Sequence, residues 1–429
     1  MTVPEHAEKD NTMAVEIKVL TLNVWGIPGI SKNREARLEA IANQLVTGPD
    51  EFDFVFLQEV WSKSDFIFLE HKVVKKLPYA HYFFSGVVGS GLCVLSRSPL
   101  TEVHFHKFPL NGYPHKLLHG DWWGGKGVGL CRTTCHGISF LLANTHLHAE
   151  YDSKTDEYVH HRVAQAFQTS QMIRFVRQPD DVLIFSGDFN CAPTDIAYRI
   201  AKFYGCMVDS YTDSPDKNPG CSGETNETPA NSYTNVKTLI ANPSGNRIDY
   251  IFYQASSTHK VKTKVCDQPW PQRVPQMNFS FSDHEAVRSV LTLTPRKDEE
   301  HTESTSEVQA QTDALLDGAA VCEQGLKKVT VNRRVHLTLA TFFTILQLVY
   351  LALLSLDITP GGRVALGTAS LIGMLFLAYF LFMGTVFFHG EYNGVKATKL
   401  AIKCHLEKLK EKNAKIFEEE RKRSLSFIK

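Results

Sequence analysis

Apolar residues follow two rhythms along the first 294 positions. Short β-rich runs recur as IKVLTLNVW, FDFVFLQEV, GLCVLSR, GVGLCRTT, ISFLLANTHL, DVLIFSGDFN, RIDYIFYQ and VRSVLTL. Between some of them, REARLEAIANQLV and YVHHRVAQAFQTSQMIRFV place apolar residues three and four apart, the spacing of a helix with one buried face. This mixture predicts an α/β domain with sheets inside and helices outside. No internal repeat is evident. From Thr212 to Asn246 the pattern lapses into Pro, Gly, Asn and Ser, which predicts a long loop or insertion, and loops of that length are usually functional or mobile.

The C-terminal third obeys a different rule. Residues 337 to 356, LTLATFFTILQLVYLALLSL, carry no charge and match the roughly 20 residues that a helix needs to cross a bilayer. A second uncharged run, Val364 to Phe388, follows the connector DITPGGR. Both runs are apolar all round, which points to a transmembrane helical hairpin and away from a buried pair in a soluble domain. Lys327, Lys328, Arg333 and Arg334 precede the first run and Lys396, Lys399 and Lys403 follow the second, against Arg363 alone in the connector. The positive-inside rule then places both outer flanks in the cytosol. The expected organisation is an N-terminal tail (1–15), an α/β domain (16–294), a polar, Ser/Thr-rich, flexible linker (295–330), the hairpin (331–390) and a charged helical tail (391–429).

Charge and cysteine usage narrow the classes. The chain is 43% hydrophobic and its 46 basic residues balance 46 acidic ones, so no whole-chain attraction to nucleic acid is expected. Nine cysteines without CxxC pairs or regular spacing read as reduced thiols of a cytosol-facing domain. In that compartment Asn226-Glu-Thr and Asn278-Phe-Ser are chance sequons. The N-terminal stretch MTVPEHAEKDNTMAVE has no apolar signal-peptide core.

Candidate chemistry collects where the apolar runs stop. Asn23 closes VLTLN, Glu59 closes FVFLQE, His146 closes FLLANTH, and Asp188 and Asn190 close VLIFSGDFN, while Asp249 lies in RIDYIF and Asp283-His284 in FSDHEAV. Polar residues at the ends of successive strands can converge at one sheet edge, where ligand sites form. Taken singly, Asp-Phe-Asn is usually a turn or helix cap, and a lone Glu such as Glu59 more often a solvated rim residue. Taken together, carboxylates and amides are the hard oxygen donors that suit Mg²⁺, with Mn²⁺ as a substitute. His146 and His148 have the spacing to share a strand face. Zinc would want a third nitrogen or sulfur ligand, and no HExxH or Cys cluster supplies one.

These residues also carry a resemblance. The order LNVWG, QEVW, SGLCVLSRSP, NTHLHAEY, GDFN, RIDY and SDH resembles the DNase I-like endonuclease/exonuclease/phosphatase superfamily. Within it, LNVWGIP, LNGYPHKLLHGDWWGGKGVGL, THLHAEY and HRVAQAF resemble the neutral sphingomyelinases, in particular the type with two C-terminal spans. The resemblance implies a two-sheet DNase I-like sandwich followed by the hairpin, and a Mg²⁺-dependent phosphodiesterase. It implies that Glu59 is the main metal ligand with Asn23 beside it, and that His284 is a neutral general base positioned by Asp283. It further implies that Asp249 orients His146 and favours its protonated form for donation to the phosphate. Asp188 and Asn190 would orient the attacking water and a phosphate oxygen, and His148 is left as an outer or rim residue. Asp121 and Lys126, five apart in a Gly-rich loop as in neutral sphingomyelinases, are candidate substrate-binding residues, with a tight turn as the plain alternative. Trp122 and Trp123 join them, by cation–π contact with choline or by resting at the headgroup level, with core packing as their alternative. The implied reaction converts sphingomyelin to ceramide and phosphocholine at a bilayer, in the endoplasmic reticulum membrane, with the catalytic domain and both termini cytosolic. A phospholipase C specific for lyso-choline phospholipids is the nearest alternative. A nuclease, for which no basic, aromatic-interleaved groove is visible, and a non-catalytic membrane scaffold are more distant ones.

Overall fold

The computed structural model describes residues 14–152, 155–215, 223–296 and 304–426, with side chains up to Ala414. The strands are β1 (Val15–Asn23), β2 (Phe54–Gln58), β3 (Tyr79–Tyr82), β4 (Cys93–Ser96), β5 (Leu100–Lys107), β6 (Gly127–Cys135), β7 (Ile138–His146), β8 (Val182–Asp188), β9 (Val208–Asp209), β10 (Asp249–Gln254), β11 (His259–Asp267) and β12 (Val287–Pro295). The helices are α1 (Arg34–Thr47), α2 (Lys63–Val73), α3 (Asp121–Gly124), α4 (Val159–Val176), α5 (Ile196–Arg199), α6 (Ser210–Asp213), α7 (Val236–Ala241), α8 (Thr305–Leu353), α9 (Pro360–Phe382) and α10 (Phe388–Ser426).

The strands form two six-stranded sheets, in the orders β11-β12-β1-β2-β4-β3 and β5-β6-β7-β8-β10-β9. Each sheet holds one parallel pair, β1 with β2 and β7 with β8. Parallel neighbours need a crossover, and α1 and α4 supply the two that the helical spacing predicted. Ile17, Val19, Phe54 and Phe56 of the first sheet pack with Phe140, Leu142, Ile184 and Ile251 of the second in one core. The alternate residues Leu20, Leu22, Val55 and Leu57 pack with Leu38, Ile41 and Leu69 of α1 and α2 in another. Burial on both faces explains why these strands read as near-continuous apolar runs.

Polar side chains set in this core lock the two sheets together near the ends of the parallel strands. Asn144 of β7 donates to Leu57 O (3.0 Å) and Cys93 O (2.9 Å) of the opposite sheet and accepts from Gln58 Nε2 (2.8 Å). Arg37 of α1 is fully buried and donates to the carbonyls of Val24 (2.6 Å), Trp25 (2.7 Å) and Phe281 (3.2 Å), so that one guanidinium fixes the chain leaving β1 and the segment before β12. Such groups are tolerated inside only when their hydrogen bonds are made. The region read as an insertion holds the end of α6 and all of α7, and Asn226 within it bridges to both Asn246 and His284.

The chain divides into two units, one reaching Leu315 and including residues 413–429, the other running from Leu316 to Lys412. The expected flexible linker departs from its reading: residues 305–330 are helical and continue into the first apolar run as α8. Residues 297–303 lie outside the described residues, as do 1–13 of the expected N-terminal tail. The helix-forming content of VQAQTDALLDGAA outweighs the Ser/Thr polarity that suggested a linker. Two helices are long and apolar enough to cross a membrane. In their unit Phe343 stacks on Phe376 and Phe380, with centroids 5.3 and 5.6 Å apart, and Gln347 is bonded to the Ser370 carbonyl (3.1 Å) and hydroxyl (2.7 Å). The second apolar run is α9 followed by a π-helical turn, Met383–Phe387, which leads into α10.

Candidate active site

The strand-end residues converge as their register requires. In the second sheet His146, Asp188 and Asp249 lie side by side, because Asp188 is paired with both. In the first sheet Asn23 ends β1, and Glu59 follows β2 with φ 60°, outside the range a non-glycine residue normally adopts. Two neighbours share this left-handed geometry, Trp25 (φ 47°) and Asn190 (φ 46°). Strained backbone of this kind persists where surrounding packing over-determines it, commonly at functional sites. Gly26 and Gly91 enclose Glu59, since a Cβ at Gly26 would lie 2.4 Å from Glu59 O and one at Gly91 3.2 Å from Glu59 Cα. Asn23 Nδ2 joins the two sheets by donating to Glu59 Oε1 (3.1 Å) and Asp188 Oδ2 (3.0 Å).

Two histidines flank Asp188. His284 Nδ1 is 2.8 Å from Asp249 Oδ2 and its Nε2 lies 3.9 Å from Asp188 Oδ2. Asp249 is itself held by Thr225, whose hydroxyl donates at 2.6 Å. Burial works against the His284 cation, but Asp249, aided by Asp188 and Asp283, outweighs it and holds the pKa well above the usual value. His146 Nε2 lies 3.3 Å from Asp188 Oδ2 and 2.9 Å from Lys126 Nζ. Burial and the Lys126 charge drive its pKa well below the ordinary histidine value. Asp188, enclosed and beside Asp249, has its pKa pushed up to about 7.

This geometry departs from two expectations. Asp249 partners His284, not His146, and the surroundings favour the cation on His284 and the neutral form of His146. The cause is placement: Asp249 begins β10 beside Asp188 with its carboxylate against the His284 ring, whereas Lys126 occupies the position next to His146. Asp283 makes its hydrogen bond with Ser282 Oγ (3.2 Å), and enclosure together with Glu59 pushes its pKa up to about 6.

Lys126 is 4% exposed and spends its three donors on Asp121, His146 and Leu147 O (3.0 Å). With Nε2 of His146 accepting from that ammonium, the imidazole proton sits on Nδ1, which has no hydrogen-bond partner among the described residues. Asp121, 2% exposed, also accepts from Tyr151 OH (2.5 Å). Burial opposes its charge, yet His148 and Lys126 overcome that and hold it well below the usual carboxylate range. Asp121 and Lys126 therefore form a buried ion pair under the histidines, not an exposed loop contact. His148 is fully buried, not at the rim: it stacks on Tyr158 at 3.9 Å and its Nε2 faces Asp121 at 3.8 Å. Trp122 and Trp123 meet edge to face at 5.0 Å in α3, and Trp123 Nε1 donates to Pro114 O (3.2 Å). Asn190 joins it through its backbone N–H to Asp188 Oδ1 (2.9 Å) and its side chain to Leu147 O (3.0 Å).

The residues match a known set. A model of the endonuclease/exonuclease/phosphatase family matches residues 20–284. The chain belongs to that family. A Drosophila melanogaster protein provisionally named a neutral sphingomyelinase is 35% identical over 92% of this chain and 98% of its own length. Sphingomyelin phosphodiesterase 2 of Rattus norvegicus is 35% identical over 74% of this chain and 75% of its own. Within the family the chain groups with the neutral sphingomyelinases, and it is a phosphoric diester hydrolase. A crystal structure of D. rerio TDP2 with a single-strand DNA product shares the fold, with TM-score 0.50 and 18% identity over 64% of this chain and 98% of that one.

Hard donors for a divalent cation are present. Glu59 offers a carboxylate next to the Asn23 amide, and Asp188, Asp249 and His284 present ligand atoms within 4.8 Å of one another. Three contributors escaped the sequence reading. Trp61 brings its indole N–H to 3.4 Å from Glu59 Oε2, Thr225 secures Asp249, and Tyr151 bonds Asp121. Trp61 and Tyr151 lie inside QEVW and THLHAEY, so the signal was at hand; Thr225 had none beyond its place in a long insertion.

His148 supplies a stability test. Burial, opposed by Asp121, lowers its pKa to about 3 from 6.5, so the unfolded chain takes up a proton that the folded chain refuses. Stability is therefore full above pH 6.5 and falls as the pH drops from there toward 3, by at most about 1.4 kcal/mol per pH unit from this group. Thermal unfolding of the His148→Gln protein between pH 7 and pH 5 is expected to show a shallower pH dependence than the parent; an unchanged slope would count against a buried neutral His148.

Proposed function

We propose that the chain is a membrane-bound, Mg²⁺-dependent sphingomyelin phosphodiesterase that releases ceramide and phosphocholine. The observation that carries the reading is the pairing of unlike histidines across Asp188, one backed by Asp249 and one by Lys126, beside Glu59. Hydrolysis of a phosphodiester needs a base for the water, charge relief on the phosphate oxygens and a stabilised leaving oxygen. Glu59, with Asn23, would hold the cation, which supplies Lewis-acid relief of phosphate charge. His284 then takes the proton of the attacking water at Nε2 while Nδ1 stays bonded to Asp249. His146 offers its Nδ1–H, which has no partner among the described residues, to a phosphate oxygen. Asp188 and Asn190 orient the water and the phosphate. The new P–O bond forms from water, the bond from phosphorus to the ceramide oxygen breaks, and that oxygen leaves with the bonding pair and takes a proton from solvent to give the free alcohol.

Sphingomyelin as substrate and the bilayer as partner rest on the neutral sphingomyelinase likeness and the two apolar helices. The assigned catalytic domain is 16–294 and the membrane hairpin 331–390; the endoplasmic reticulum membrane is the organelle that the likeness suggests. In mixed micelles the purified full chain is expected to cleave sphingomyelin with Mg²⁺ and to lose activity with chelator. Faster cleavage of lyso-choline lipid would move the assignment to a lysophospholipase C, and cleavage of DNA alone would end the lipid reading. Glu59→Ala is expected to lower turnover about a thousandfold while the fold, followed by circular dichroism, is retained.

The His284 dyad gives a pH test. The groups facing the ring are Asp249, Asp188 and Asp283, all of which favour its cation. Activity therefore rises with pH as His284 gives up its proton. Replacing Asp249 by Asn removes the strongest of the three, so the acid limb of kcat is expected to move to lower pH while kcat falls by about 10² to 10⁴. A limb that stays put would show that another group titrates.

Topology gives a test independent of catalysis. A seven-residue connector, DITPGGR, is too short to recross a bilayer, so both flanks share a side, and the flanking lysines and arginines assign it to the cytosol. In sealed microsomes, protease added outside is expected to digest residues 16–294 and spare the hairpin. Protection of that region, or glycans on Asn226 or Asn278, would reverse the orientation.

A further inference from the structure

The cluster described above sits below a ridge that the chemistry does not use. Two loops present large apolar side chains to solvent: Phe84 (68% exposed), Val87 (69%) and Val88 (53%) in one, Leu117 (67%) and Leu118 (98%) in the other. Single exposed leucines are ordinary, but five large apolar residues on two joined loops are a patch. The join is α3. Val87 N donates to Trp123 O (2.8 Å), Ser85 Oγ to Gly125 O (2.7 Å), and the Trp123 indole to Pro114 O (3.2 Å), so one short helix holds both loops. The same helix leans on the catalytic side, because a Cβ at Gly124 would come within 2.7 Å of the Trp61 ring, whose N–H faces Glu59.

We propose that this ridge, residues 84–88 with 114–118, inserts into the interfacial layer of a phospholipid bilayer and brings the lipid phosphodiester to the site beside it. The inference rests on the lipid-substrate reading and adds the surface that meets the lipid. Charge selects the occupant. Segments 84–91 (FSGVVGSG) and 114–120 (PHKLLHG) contain no acidic residue; their ionisable groups are His115, Lys116 and His119, and Lys63 lies 6.0 Å from the Phe84 ring centroid. Lys116 is paired with Glu157, which leaves the ridge mildly basic to neutral. Apolar tips, small residues between them and basic side chains at their base are the composition that sits among phosphate headgroups. Continuity with Glu59 supplies the function: a sphingolipid's scissile bond lies at headgroup depth, so a ridge immersed to that depth spares the substrate a full exit from the membrane.

The test uses the full chain in phosphatidylcholine vesicles, in a background with Cys206, Cys221 and Cys404 changed to Ser. An environment-sensitive dye is placed by Leu118→Cys or Val87→Cys, with Phe175→Cys, at a side chain 79% exposed, as the control. Blue-shifted emission and quenching by acyl-brominated lipid at 118 and 87, and neither at 175, is the expected result. Dyes at 118 and 175 that are equally wet would overturn the proposal. So would shielding that follows the protein-to-lipid ratio, which marks a second copy, or that appears only with cytosolic extract, which marks a protein partner. A Val87→Asp/Leu118→Asp double variant is expected to lose about tenfold or more on bilayer sphingomyelin while keeping its rate on detergent-dispersed sphingomyelin within about twofold. Absence of all sphingomyelin cleavage in the parent would instead strike the substrate reading, and the dye result would still decide the ridge.

Discussion

A carboxylate taken out of water must be given hydrogen bonds or opposite charge in return, and the polar edge of this sandwich is arranged to give them to Asp188. Its oxygens receive Asn23 Nδ2 from the first sheet and the N–H of Asn190 from its own chain, with His146 and His284 on either side. Removing any one leaves the others facing a buried, poorly paired charge. Because Asp249 adds a second carboxylate next door, burial and that neighbour push the Asp188 pKa up, and the two histidines are driven in opposite directions. Groups in mutual contact titrate as a set, so the division of labour belongs to the arrangement and to no single side chain.

That arrangement exists only if two sheets meet in one register. A slip of one residue in β8 would turn Asp188 away from the face it shares with Val182 and Ile184 and bring Gly187 toward the histidines. Three buried polar residues guard against it. Asn144 and Gln58 bond across the sheet interface, and Arg37 ties the exit of β1 to the segment before β12. They sit close to the catalytic end, where Gln58 is one residue from Glu59 and Asn144 two from His146. The unusual backbone at Trp25, Glu59 and Asn190 lies at the same end, so the local conformational cost is borne where the sheets are most tightly cross-bonded.

The legible part of this architecture is the part written in periodicity. Apolar runs and the two helical repeats reveal the α/β class and both crossover helices, since burial on both faces leaves a continuous mark in the strands. The residues at the strand ends are equally visible, because a polar group after an apolar run has few reasons to be there. What periodicity does not carry is which side chain faces which. Asp249 and His146 stand on opposite sides of Asp188 in one sheet, and the path of the 225–249 segment, which presents Thr225 to Asp249 and Asn226 to His284, decides that the carboxylate serves the other histidine. His148 misleads for a related reason: alternation puts it on the face of His146, but the chain has left β7 by then and Tyr158 covers its ring. The segment 305–330 shows the opposite error, where polar composition hides strong helix formers.

The catalytic cluster does not by itself choose a substrate. On the proposed reading its working parts would be a cation site, a base and a donor to the phosphate, each acting on the phosphodiester without touching what is esterified to it. The D. rerio TDP2 structure, with its single-strand DNA product, is built on the same fold. Selection must therefore come from outside the cluster. In this chain the material outside it is apolar: loops with Phe84, Val87, Leu117 and Leu118 turned to solvent, and two helices with the length and hydropathy of membrane spans. Neither would favour the phosphate-lined, highly charged surface of a nucleic acid, whose binding depends on cationic neutralisation. A chain with 46 basic and 46 acidic residues has no such excess to offer, and on the proposed reading the choice between lipid and nucleic acid would lie in where the phosphodiester can be presented, not in how it is cleaved.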